Sequence, residues 1–116
     1  MTLDEIAQGL SDVSLTSADI DLLCERRGQT KRALFDELAY WLAVTFIEGR
    51  KDFYFCDGVA NMFLPFSNWE LSDFAWDVYL AFDNGEFDHE GDPKGLDTVE
   101  KYTRPMLLAA IDGWNK

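Results

Sequence analysis

Apolar residues recur along the chain with the spacing of helices. Leu3, Ile6, Ala7 and Leu10 stand at i, i+3, i+4 and i+7, which puts them on one helical face. Thr2 and Glu5 frame the start of that helix as a capping box, in which each side chain accepts from an otherwise unpaired backbone amide. Thr16 and Asp19 repeat the box, with Leu15 and Ile20 at the positions of a hydrophobic staple. The second helix is expected to run to about Arg27 and stop at Gly28, which readily takes the left-handed conformation of a C-terminal cap.

Thr30 is expected to cap a third helix over Lys31–Glu48, ending at Gly49. Leu34, Leu38, Trp41, Leu42, Thr45 and Phe46 line one side of it, and Phe35, Ala39 and Val44 make other faces apolar. A helix apolar on several sides belongs at the centre. Residues 52–64 carry mixed signals. Phe53, Tyr54 and Phe55 suit a strand, but Cys56, Val59, Ala60 and Phe63 keep helical spacing, and a helix closed by Pro65 is the favoured reading.

A fifth helix is expected to start near Ser72, with Asp73 favoured in its first turn by the helix dipole. It carries Trp76, Tyr79, Leu80 and Phe82 and ends at Gly85. The polar loop 86–97 leads to a last helix starting at Asp97, with Glu100 in the reciprocal capping position. Val99, Tyr102, Met106, Ala110 and Ile111 are its inward positions, and Pro105 is expected to kink or restart it. The pattern predicts an all-α fold: five to six helices in a bundle-like packing, one domain spanning residues 1–116.

Composition fits that prediction. The 116 residues suit one domain, and 15% aromatic content separates the chain from disordered sequences. The N-terminus lacks the basic segment and apolar run of a secretory signal. The longest apolar stretch, Leu38–Ile47, is about half the roughly 20 residues of a membrane span. Two cysteines, Cys24 and Cys56, are too few for a disulfide scaffold; they can pair, but free buried thiols are favoured. A cytoplasmic location is expected.

Charge supplies the functional lead. Twenty-two acidic residues face ten basic ones, a net charge of −12. Residues 52–100 hold twelve acids and a single base, Lys94, and so carry −11, against −3 before them and +2 after. Asp83, Glu86, Asp88, Glu90 and Asp92 crowd into ten positions. A solvated acidic face is one reading. The other is an electrostatic docking surface for a basic protein partner, since complementary potential speeds encounter while aromatic anchors hold the complex.

The candidate contacts are Trp69, Glu70, Asp73, Asp77, Asp83, Glu86, Phe87, Asp88, Glu90 and Asp92. Trp69 and Phe87 are the candidate anchors because they fall in predicted loops; the aromatics of the fifth helix belong mostly to the core. Direct nucleic-acid binding is disfavoured, since the net charge repels phosphate. The one basic cluster, Arg26, Arg27, Lys31 and Arg32, lies at two helix ends, where Arg26 and Arg27 suit the free carbonyls of the second helix.

Catalytic and metal motifs are missing. Counted from Asp88 as a calcium loop, position six is Pro93 instead of glycine and position twelve is Val99 instead of glutamate; counting from Asp83 puts Gly85 and Phe87 at ligand positions. His89, the single histidine, has no zinc-ligand spacing to Cys24 or Cys56. A Cys56–His89 nucleophilic pair requires meeting in space, and no phosphate-cradling glycine motif occurs. No catalytic residue, metal site or cofactor is assigned.

In size, acidity and helical character the chain is similar to bacterial immunity proteins that neutralise basic nuclease toxins, although it matches no motif of theirs. That resemblance implies a non-enzymatic stoichiometric inhibitor. The alternatives are a nucleic-acid mimic inhibiting a DNA-binding protein, an enzyme or metal-dependent protein using the loop carboxylates, and a homodimer joined through the aromatic surplus.

Overall fold

Both capping boxes close in the computed structural model, which describes residues 1–116. Thr2 accepts from the Glu5 amide and Glu5 from the Thr2 amide at the start of α1 (Leu3–Ser11). Thr16 and Asp19 do the same for α2 (Ser17–Arg27), which ends on Gly28 at φ 65°. Thr30 caps α3 (Lys31–Ile47) through the Ala33 amide. The remaining helices are α4 (Phe53–Asn61), α5 (Phe63–Ser67), α6 (Asp73–Asn84) and α7 (Arg104–Trp114), with a π-helical turn at Val99–Thr103 leading into α7. No strand forms, so the all-α expectation holds.

The third helix is the spine: α3 packs against each of α1, α2, α4, α5, α6 and α7. Its Leu34, Phe35, Leu38, Ala39, Leu42 and Ala43 are fully buried in one core of 23 residues. Each such Leu or Phe contributes about 1.5–3 kcal/mol through loss of apolar surface to water. Phe35 meets Phe63 edge-on at 5.5 Å, and Phe46 meets Phe82 at 5.6 Å. Trp41, expected on the buried side, is only half-buried. Cys24 and Cys56 are free and buried, and no helix is long and apolar enough to cross a membrane.

Three local features differ from the sequence expectation. Pro65 does not close α4. The helix breaks earlier, at Met62, and Pro65 sits inside the short α5, within a first turn where no amide partner is needed. On α6 the buried face is Phe74, Ala75, Val78, Ala81 and Phe82, with Tyr79 and Leu80 half-buried and Trp76 turned outward. The small alanines bring the α6 backbone close to the core, which a reading weighted towards large aromatics misses.

The third difference lies before α7. Asp97 does accept from the Glu100 amide at 3.1 Å, but the chain then winds wide, and the Arg104 amide bonds five residues back to the Val99 carbonyl. Pro105 then falls in the first turn of α7, so the helix restarts without a kink in an established ladder. Buried Thr103 ties the turn to α6 by donating to the Ala81 carbonyl at 2.7 Å. Trp114 stacks on Phe74 at 4.5 Å, so α7 runs back antiparallel along α6.

Candidate functional site

Helix α6 is anchored at its start by Ser72, whose hydroxyl accepts from the Ala75 amide at 3.1 Å and donates to Asp36 on α3. With Phe74, Ala75 and Val78 turned inward, Asp73, Trp76 and Asp77 face solvent, and Leu80 and Asp83 continue the same stripe half-exposed. Twelve carboxylates lie between residues 52 and 100, and only Asp92 and Glu100 form an ion pair, with Lys101 and Arg104. The remaining bases in ion pairs, Arg27, Lys31, Arg50, Lys51 and Lys116, pair with acids outside that segment. The negative charge of α6 and its flanks is therefore left uncompensated.

Beyond α6, the loop is fastened by a stack of three rings. His89 lies 4.5 Å from Phe87 and 3.9 Å from Tyr102, and its Nε2, facing the Asn84 carbonyl at 2.9 Å, acts as the donor. Asp92 accepts from Lys101 and from the Tyr102 hydroxyl. Those two hydrogen bonds, Lys101 first, hold its carboxyl below the usual carboxylate range. With its side chain 13% exposed, Asp92 serves to hold the loop, whereas Asp88, Glu90 and Phe87 project into solvent.

The two anticipated anchors flank opposite ends of α6, a twelve-residue helix about 18 Å long. Phe87 is 49% exposed and follows the C-terminus. Trp69, 69% exposed, precedes the N-terminus and lines a hollow of about 410 Å³ with Thr30, Arg32, Glu70 and Leu71. Asn68 and Trp69 both have positive φ, 55° and 64°. Asp73, Asp77 and Asp83 thus share one helix with Trp76, while Glu70 sits at the Trp69 end, near Lys31.

Glu86 belongs to a group that the sequence did not single out. Asp57 on α4 has its carboxyl pushed up to about 8, by burial first and then by its hydrogen bond to Glu86 and the charges of Glu86 and Asp83; Asn61 opposes the shift weakly. Its Oδ1 is buried and receives no hydrogen bond. That arrangement suits a protonated carboxyl that donates to Glu86, because two ionised carboxylates in such contact repel. Burial and the same three acids also raise the Tyr79 phenol. One aspartate among 22 acidic residues gives no sequence signal of such pairing.

Asp57, Asp83 and Glu86 line none of the four surface hollows, so the shared proton faces no cleft that a substrate can enter. Cys56 is fully buried, which pushes its thiol up to about 12, opposite to an activated thiolate. Nowhere do three or more His, Cys, Asp or Glu side chains gather in a way that can hold a metal ion. In comparisons with family models, curated proteins and solved structures, the chain matches none.

Proposed function

We propose that this chain is a non-enzymatic acidic binding protein, a stoichiometric inhibitor of the immunity-protein kind, that docks the α6 side of its surface on a basic protein. The observation that carries the reading is charge segregation: ten of the twelve carboxylates between residues 52 and 100 have no ion-pair partner. Uncompensated like charges oppose folding. A basic surface relieves that repulsion on binding and is drawn in by the same field. Exposed Trp76, Trp69 and Phe87 supply the aromatic area from which interface anchors are made. The proposal sets the protein in the cytoplasm, where unpaired cysteines are the rule.

The test begins with capture from lysate at low salt, followed by binding of the recovered protein in purified form. A variant neutralised on α6 (Asp73→Asn, Asp77→Asn and Asp83→Asn) is compared with one neutralised on α1, its C-terminal cap and α2 (Asp4→Asn, Asp12→Asn and Glu25→Gln). A basic partner whose affinity drops tenfold or more only with the α6 variant supports the reading. Equal losses in both variants, or no partner at low salt, overturn it.

A further inference from the structure

We infer that the hollow between α6 and α7 is the subsite for one long basic side chain of the partner, an arginine or a lysine; this rests on the proposed docking function and names its contact point. The hollow, about 260 Å³, is lined by Asp77 from α6 and by Met106, Ala109 and Ala110 from α7. Its chemistry has two parts. Met106, Ala109 and Ala110 recur at i, i+3 and i+4 and form an apolar floor on which two alanines leave room. Asp77 stands at the edge, exposed, with no ion pair.

Arginine and lysine have a matching construction, an aliphatic stem that gains from apolar contact and a cationic head that stays at the polar edge. An acidic side chain is repelled by Asp77, and a purely apolar one leaves that carboxylate partly desolvated without a donor. Trp76, the residue before Asp77, is 37% exposed on the same helical stripe. Its ring meets Tyr79 at 5.5 Å and lines no part of the hollow. Asp73 lies one turn earlier on that stripe and extends the negative edge.

The probes are acetyl-Ala-Arg-Ala-amide, its lysine counterpart and its citrulline counterpart, each titrated into the full chain at low ionic strength. The readout is the NMR methyl signals of Met106, Ala109 and Ala110. The arginine or lysine peptide is expected to move these signals saturably, and the two arms decide which head group is preferred. The uncharged citrulline peptide is expected to leave them in place. Asp77→Asn is expected to weaken binding roughly tenfold, the loss of about one charge-assisted hydrogen bond.

Ala109→Leu fills the hollow from an exposed helical position, so it keeps the fold and is expected to block binding. If the charged peptides leave those methyl signals in place and shift only backbone amide signals of residues 86–92, and neither variant matters, the subsite is overturned while acidic recognition of a basic protein survives. If the subsite responds as expected but capture yields no basic partner, the docking function is overturned instead.

Discussion

Asp57 stores electrostatic tension at a single residue, and pH is the variable that releases it. The folded chain keeps the Asp57 proton up to about pH 8, whereas an ordinary aspartate releases it near 3.8. Between those values the native state binds the extra proton, so stability falls as pH rises through the window. Each unit of mismatch is worth at most about 1.4 kcal/mol. With Asp57 only half-buried, solvent screening reduces the total to about 1–2 kcal/mol. Urea unfolding at pH 6 and pH 9, which takes in about half of that window, should show about half of that loss in the natural chain and a smaller one in Asp57→Asn. Parallel pH profiles for the two chains contradict the shared proton. Trp69 is one of three non-glycine residues with a left-handed backbone, with Val13 and Asn68. A left-handed backbone costs a non-glycine residue about 1–2 kcal/mol, while glycine loses about 0.5–1 kcal/mol more on ordering. Trp69→Gly is therefore expected to leave stability unchanged or raise it by up to about 1 kcal/mol, although it deletes a tryptophan. Calorimetric melting measures this, and a marked drop in melting temperature means that the indole packs.

At the scale of elements, two glycines separate close packing from open helix surface. Gly85 follows α6 at φ −82°, a conformation open to any residue, yet a Cβ there meets Thr103 Oγ1 and lies 2.8 Å from Phe53 Cε1. Gly85→Ala is expected to cost about 2–3 kcal/mol by forcing α4, α6 and the π-helical turn apart. Gly58 is interior to α4 with nothing near its would-be Cβ, so Gly58→Ala is expected to gain about 0.5–1 kcal/mol from helix propensity alone. Urea midpoints of the two variants, moving in opposite directions, check both. The same division explains what could be read from the chain. The caps at Thr2, Thr16, Thr30 and Ser72 were legible because each is settled within four residues, and α3 was legible because its apolar faces need a neighbour on every side. The break at Met62, the wide turn before Pro105 and the inward face of α6 were not, since each depends on how closely a distant helix approaches. Of the candidate contacts, Asp73, Asp77 and Asp83 could be placed on one helix from spacing alone. That Asp92 turns back to Lys101 and Tyr102, and that Glu86 meets Asp57, are encounters across the fold with no local mark.

At the scale of the molecule, the bases are already spent. Seven of the ten sit in ion pairs, leaving Arg26, Arg32 and Lys94, and the carboxylates of α6 keep their charge. Two opposing effects of salt follow. Screening weakens the ion pairs, but those are mostly exposed and worth about 0–1 kcal/mol each. It also weakens repulsion among uncompensated carboxylates, which acts over distances comparable to the roughly 10 Å Debye length at 0.1 M salt. With a net charge of −12, repulsion should dominate, and the melting temperature is expected to rise between very low and moderate sodium chloride. Asp77→Asn with Asp83→Asn should raise the low-salt melting temperature and flatten that dependence, because both lie beyond the first turn of α6 and lose no favourable contact with its dipole. Asp4→Asn, which breaks the exposed pair with Lys51 and takes a first-turn carboxylate away from the α1 dipole, should not raise the low-salt melting temperature. A melting temperature that falls with added salt means the ion pairs outweigh the repulsion. The free energy attributed to an unrelieved acidic side would then be absent, and with it the reason for that side to seek a basic surface.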